Sequence, residues 1–142
     1  MAGYSETPLV KKLGIKPGIN VAFVNAPAEF LAELTLPENV RVNSRSTKPL
    51  DFVLLFAKSE KELQRNFSVF ADRLFPAGMI WVAWPKKSSG VTTDLSFNNV
   101  QSIGLATGLV DVKICAVNDV WSGLKFVFRI KDRELLKVRR PQ

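Results

Sequence analysis

Histidine is absent from the 142 residues, and cysteine and tyrosine occur once each. Histidine is the side chain whose ordinary pKa places proton exchange near neutrality. Its absence excludes histidine-assisted serine and cysteine nucleophiles and the common histidine-ligated zinc sites. Acid and base work is left to Asp, Glu, Lys and Tyr4. The lone Cys115 excludes an internal disulfide and a multi-cysteine zinc site, which suits a reducing compartment. Long apolar runs are also missing: none approaches the ~18 residues of a membrane span. The opening MAGYSETPLVKKLG has no charged head followed by an apolar stretch. A cytoplasmic protein with no membrane contact is therefore expected. Internal repeats, linkers and low-complexity segments are lacking too.

What is present is enough apolar side chain, 46% of residues, for residues 1–142 to bury one full core as a single α/β domain. Twenty Lys and Arg against 13 Asp and Glu give a formal charge of +7. That surplus favours acidic partners such as phosphates, nucleotides or nucleic acid.

Helical and strand patterns alternate along the chain. Thr7 caps a first helix with Pro8 at its first position, and Gly14 closes it. NVAFVN (20–25) reads as a short buried strand, AEFLAEL as a helix entered through Pro27, and NVRVNS (39–44) as a second strand. DFVLLFA (51–57) is apolar almost throughout, as a central parallel strand covered on both faces should be. A capping box of Ser59 and Glu62 opens the next helix, whose apolar stripe is Leu63, Phe67, Phe70 and Leu74. MIWVAW (79–84) is again a doubly buried strand. A helix from about Asp94 to Thr107 turns Leu95, Val100 and Ile103 inward and stops at Gly108.

The last third alternates instead. VDVKICAV and LKFVFRI place Leu124, Phe126, Phe128 and Ile130 on one face and Lys125, Val127 and Arg129 on the other. The connection NDVWSG is far too short for a parallel crossover, so these strands must be antiparallel. The expected fold is a three-layer α/β sheet of about six strands, mostly parallel, with a C-terminal antiparallel hairpin. The basic segment from about residue 131 to 142 reads as a short helix or solvated tail.

LGIKPGINVAFVN, PLDFVLLF with Asp51 before the central strand, and LFPAGMIWVAW together resemble the class I methyltransferase sheet, shortened by one strand and helix. The resemblance spans most of residues 10–130. It implies a Rossmann-like strand order of 2-1-3-4-6-5 and, as cofactor, S-adenosylmethionine. Such enzymes have an acidic residue and a glycine-rich turn after the first strand; this chain has Asn25-Ala26-Pro27. The second strand ends in RVNSRS, without a carboxylate for the ribose hydroxyls. No cofactor is therefore predicted, and S-adenosylmethionine is disfavoured. IWVAWPK (Ile80 to Lys86) and NDVWSGLKFV (Asn118 to Val127) are similar to a bacterial family of uncharacterised function, which implies the same fold and no particular activity.

In such a sheet ligands bind beyond the carboxyl ends of the strands, where strand order reverses. Asn25, Lys58, Lys86, Lys87, Ser88, Ser89, Gly90, Asp119, Trp121 and Ser122 all fall in segments leaving that edge. WPKKSSGVTTD offers two cations, hydroxyls and a glycine that lets backbone amides turn, followed by a helix N-terminus. These are the parts of an anion cradle, although the Walker order is absent. The favoured reading of the same loop is a solvated segment, with Thr93 or Asp94 capping the next helix. Trp121 can stack on a planar ring whose hydrogen bonds Asp119 accepts; otherwise Asp119 bonds to nearby backbone, Gly123 eases the turn and Trp121 lids the core. Cys115 reads as packing.

The functional expectation is a non-catalytic module binding an anionic or nucleotide-like small molecule at this rim. The alternatives are a methyltransferase or other transferase using Asp119 or a lysine for proton handling, and a module meeting nucleic acid or protein through its basic surface. Nothing in the sequence specifies an oligomeric state.

Overall fold

A computed structural model describes residues 8–43 and 48–139. Six strands form one sheet: β1 (Asn20–Val24), β2 (Arg41–Val42), β3 (Leu50–Phe56), β4 (Leu74–Pro85), β5 (Leu109–Ala116) and β6 (Trp121–Phe128). Their order is β2-β1-β3-β4-β6-β5. β2, β1, β3 and β4 run parallel, and β6 is antiparallel to both β4 and β5. The Rossmann-like α/β architecture and the C-terminal hairpin expected from the sequence are both present.

The unbroken apolar runs are explained by burial on both faces. Phe52, Leu54, Phe56, Trp81 and Ala83 enter one core, with helices α1 (Leu9–Leu13) and α2 (Ala28–Glu33). Val53, Leu55, Ile80, Val82 and Trp84 enter the other, with Leu63 and Phe67 of α3 (Glu60–Ala71) and Val100 of α4 (Phe97–Ala106). A period of two thus splits each run between two layers of helix. Trp81 pins α1 to the sheet by donating its indole N–H to the Leu13 carbonyl at 2.8 Å.

Several boundaries differ from expectation. Thr7 and the strand residue Ser44 lie outside the described residues. Pro8 is the N-cap of α1 and not its first helical residue. β2 shrinks to two residues because it pairs only with Asn20 and Val21 of β1. β4 begins at Leu74, which the helical stripe had claimed. Leu50 pairs with Leu74 and Phe52 with Met79, so residues 75–78 bulge out of the ladder. The basic C-terminal segment forms α5 (Ile130–Arg139), tied back by the Arg133 Nε donation to the Phe128 carbonyl at 3.2 Å and by Leu136 against the core. Residues 140–142 lie outside the described residues. No described helix is long and apolar enough to cross a membrane.

Candidate functional site

The carboxyl ends of β1, β3, β4 and β5 share one edge of the sheet, and strand order reverses between β1 and β3. Ligand crevices of open α/β sheets lie at such reversals. Two adjoining hollows of about 390 Å³ and about 550 Å³ occupy this edge and share Asn25, Lys58 and Trp121 as lining residues. They form two lobes of one cleft. Phe56, Ala57 and Glu62 line the smaller lobe. Pro27, Glu29, Phe30, Val91, Asn118 and Val120 line the larger. A third hollow of about 560 Å³ lies between α3 and α4, but its lining, with Gln64, Asn98, Asn99, Ser102 and Thr107, includes no cation and no aromatic ring.

The cleft walls are held by a small set of bonds. Asn25, directly after β1, has φ 55, a left-handed conformation that asparagine tolerates better than most residues. Its Nδ2 donates to Glu62 Oε2 at 3.3 Å, while Glu62 Oε1 accepts the Lys58 backbone N–H at 3.0 Å. Glu62 therefore ties the β1 turn to the β3 turn. This also amends the expected capping box. Ser59 Oγ does accept the Glu62 N–H at 3.2 Å, but the return bond goes to Lys58 instead of Ser59.

Beneath the cleft, Phe56 makes edge contacts with Phe30 (5.1 Å between centroids) and with Trp121 (4.9 Å). Trp121 is the first residue of β6 and only 7% exposed. It closes the core and presents its remaining surface to both lobes.

The loop after β4 is organised around its own backbone. Ser89 N–H and Oγ both donate to the Lys86 carbonyl (3.1 and 2.6 Å), Gly90 N–H reaches the Lys87 carbonyl, and Val91 N–H donates to Ser89 Oγ at 3.2 Å. These amides and this hydroxyl are engaged within the loop, in a 3₁₀ turn at Lys87–Ser89 closed by Gly90 at φ 76. Thr93 and Asp94 do not cap α4. Thr93 Oγ1 donates to the Lys58 carbonyl at 2.6 Å, and Asp94 Oδ1 accepts the Glu60 N–H at 2.8 Å. Ser96 caps α4 through a capping box with Asn99.

Of the ten residues singled out in the sequence, Asn25, Lys58 and Trp121 come together in the cleft. Lys86, Lys87, Ser88, Ser89 and Gly90 line neither lobe; the loop enters through Val91. Ser122 pairs with Trp84 in the β4–β6 ladder and shares its face of the sheet, opposite to Trp121. Asp119 is exposed at the β5–β6 turn. Asn118 organises that turn, its Oδ1 accepting N–H bonds from Val120 (2.9 Å) and Trp121 (3.0 Å). Gly123 lies within β6, so it does not shape the turn. Glu62 and Glu29 went unread as cleft residues; Glu62 carried a signal only as a helix cap. Among the described residues no group of three or more His, Cys, Asp or Glu is arranged to hold a metal ion.

No family model and no curated protein sequence matches the chain. Its fold resembles several solved structures. One is a SAM-dependent methyltransferase from Aquifex aeolicus, with a TM-score of 0.59 and 14% identity over 83% of this chain and 86% of that one. Another is precorrin-6y C5,15-methyltransferase from Geobacter metallireducens GS-15, at 0.60 and 10% over 85% and 86%. A third is magnesium protoporphyrin IX methyltransferase from Synechocystis PCC 6803 with bound SAM, at 0.57 and 10% over 85% and 74%.

The residues of this chain fit that cofactor poorly. Asn25 keeps a left-handed turn where a glycine would serve, but Pro27 has no amide to offer. Residues 41–50 contain no Asp or Glu, and the Asn43 amide is turned toward Asn20 Oδ1 at 3.4 Å. The carboxylate expected for ribose hydroxyls is thus missing from the second strand. At 10 to 14% identity the likeness is one of architecture, and the chain has a class I methyltransferase-like Rossmann fold.

Proposed function

We propose that the protein is a binding module that holds an anionic, nucleotide-like small molecule in the two-lobed cleft without transforming it. The observation that carries this reading is the convergence of the Lys58 side chain, the Asn25 amide and the Trp121 ring at the strand reversal. Lys58 supplies the cation for a phosphate or carboxylate. Trp121, backed by the buried Phe56, supplies an apolar contact for a planar ring through the small surface it leaves exposed. Asn25 supplies polar recognition and is held in place by Glu62.

Binding without turnover is supported by how Glu62, the acid of the smaller lobe, is used. Both Glu62 oxygens accept bonds that hold the cleft wall together, which suits a positioning role better than proton transfer. The methyltransferase-like fold favours an adenosyl ligand in kind, while the missing ribose-binding carboxylate weighs against it.

The test is a calorimetric and thermal-shift screen against AMP, ATP, S-adenosylmethionine and S-adenosylhomocysteine, with Lys58→Ala and Asn25→Ala alongside. A ligand at about 100 times its Kd adds roughly 2.7 kcal/mol of stability. The expected result is a nucleotide hit weakened about tenfold by Lys58→Ala, the loss of one charge-assisted bond. Unchanged affinity in both variants would remove the cleft assignment. Turnover of S-adenosylmethionine would replace this reading with methyl transfer.

A further inference from the structure

Away from the cleft, four lysines from three separate segments gather on the α1 face of the β5–β6 hairpin. Lys113 and Lys125 are direct cross-strand partners, so their side chains leave the sheet on the same side. Lys113 Nζ donates to the Lys12 carbonyl at 3.2 Å, which places the end of α1 beside the hairpin. Lys16 follows in the next turn of chain and acts on Lys125 together with Lys113, while Lys12 and Lys113 both act on Cys115. All four ammonium groups therefore share one field.

Among the described residues, no carboxylate acts on Lys125 or on Cys115. The charged groups acting on Lys125 and Cys115 are all lysines. Asp111 of β5 pairs with Phe126 on the other face, where it accepts bonds from the Gln101 amide at 3.2 and 3.3 Å. Lys137 pairs with Glu134 on α5, at 3.1 Å. Like charges set opposite each other in a sheet are destabilising, and Lys125 is half-buried as well. The fold has gathered cations on one face of the hairpin, and a bound polyanion would relieve the repulsion.

We propose that this lysine patch is a docking surface for the phosphate backbone of a nucleic acid. The patch is built of ammonium groups, which bind phosphate as point charges without requiring a fixed bidentate geometry. The net charge of +7 draws a polyanion toward the molecule as a whole. No aromatic ring belongs to the cluster, so contact is with the backbone and is independent of base sequence. The surface is separate from the cleft and does not depend on what the cleft binds.

The experiment is fluorescence anisotropy with fluorescein-labelled poly(U) over a salt series. Wild-type protein is expected to bind with an affinity that falls steeply with salt. Lys113→Gln with Lys125→Gln should weaken binding about tenfold and flatten the log–log salt slope by about 1.4, two single-strand contacts at roughly 0.7 each. Lys12→Gln with Lys16→Gln should act likewise, and Lys61→Gln on α3 should leave the slope unchanged. Melting temperatures at or above wild type will show that the variants fold. Poly(U) binding that ignores both double substitutions would overturn the proposal, as would no binding at low salt. Displacement of poly(U) by poly-glutamate at equal charge concentration would also overturn it, in favour of an acidic protein partner.

Discussion

Asp94 Oδ1 accepts the backbone N–H of Glu60 at 2.8 Å, joining the loop after β4 to the first turn of α3. Glu60 N–H is one of the donors that a helix start leaves without an internal partner. Ser59 satisfies the Glu62 N–H, so two side chains from distant parts of the chain cap one helix. Beside them Thr93 holds the Lys58 carbonyl. A loop whose composition suggests a ligand cradle is, over Thr93 and Asp94, a brace for the cleft wall.

Asp94→Ala should therefore destabilise the protein by about 1 kcal/mol, the usual range for a lost helix cap with a favourable charge. Asp94→Asn keeps an acceptor and should lose roughly half as much. Urea titration of the three proteins measures both values. A wild-type midpoint for Asp94→Ala would show that water replaces the bond without loss.

Gly104 of α4 lies so close to the Phe126 ring that a Cβ there would fall within it. Phe126 is fully buried and meets Phe67 edge-on at 5.3 Å between centroids, so it has little room to move. Gly104→Ala should destabilise by about 1 to 3 kcal/mol through overpacking, despite the better helix propensity of alanine. Adding Phe126→Leu should recover part of the loss, which a double-mutant cycle reads directly.

Lys125 has its pKa lowered, first by burial and then by Lys113 and Lys16. At a pH between its folded pKa and its ordinary 10.5 the unfolded chain holds more protons at this site, so stability rises with pH across that window. Cys115 runs the other way. Burial raises its thiol above the ordinary 9.0, with Lys12 and Lys113 partly opposing, so its contribution falls as pH climbs from 9.0 toward the folded value. Urea midpoints through the alkaline range in a Cys115→Ala background should therefore rise more steeply than in wild type. Lys125→Met should flatten that rise and be more stable than wild type at neutral pH. An unaltered alkaline profile in Lys125→Met would show that the lysine field carries no free energy.

Much of the fold was legible because burial leaves a period in the sequence. The runs at Phe52 to Phe56 and Ile80 to Trp84 are apolar at every position because both faces are covered. The alternation from Leu124 to Phe128 reflects one buried face opposite Lys125 and Val127. The expected NDVWSG connection proved shorter still, since Trp121 and Ser122 already belong to β6. The stripe from Leu63 to Phe70 was sound, but Leu74 is buried in a strand, and side-chain spacing alone does not tell a helix end from a strand start. Lys58, Asn25 and Trp121 were recognisable as edge residues from topology, whereas Ser122 was assigned to the edge by proximity in sequence and lies on the other face.

By itself, the sequence determined the layers and the antiparallel hairpin, because hydrophobic burial and connection length act locally along the chain; the strand order followed from the resemblance to the class I methyltransferase sheet. Tertiary structure decided which polar groups are free. Ser89 and Gly90 lose their donors to neighbouring carbonyls, Asp94 is taken by α3, and Glu62 binds Asn25 from 37 residues away. Whether a donor faces a ligand or a carbonyl depends on what the fold brings to within about 3 Å of it. Chain composition does not encode that distance.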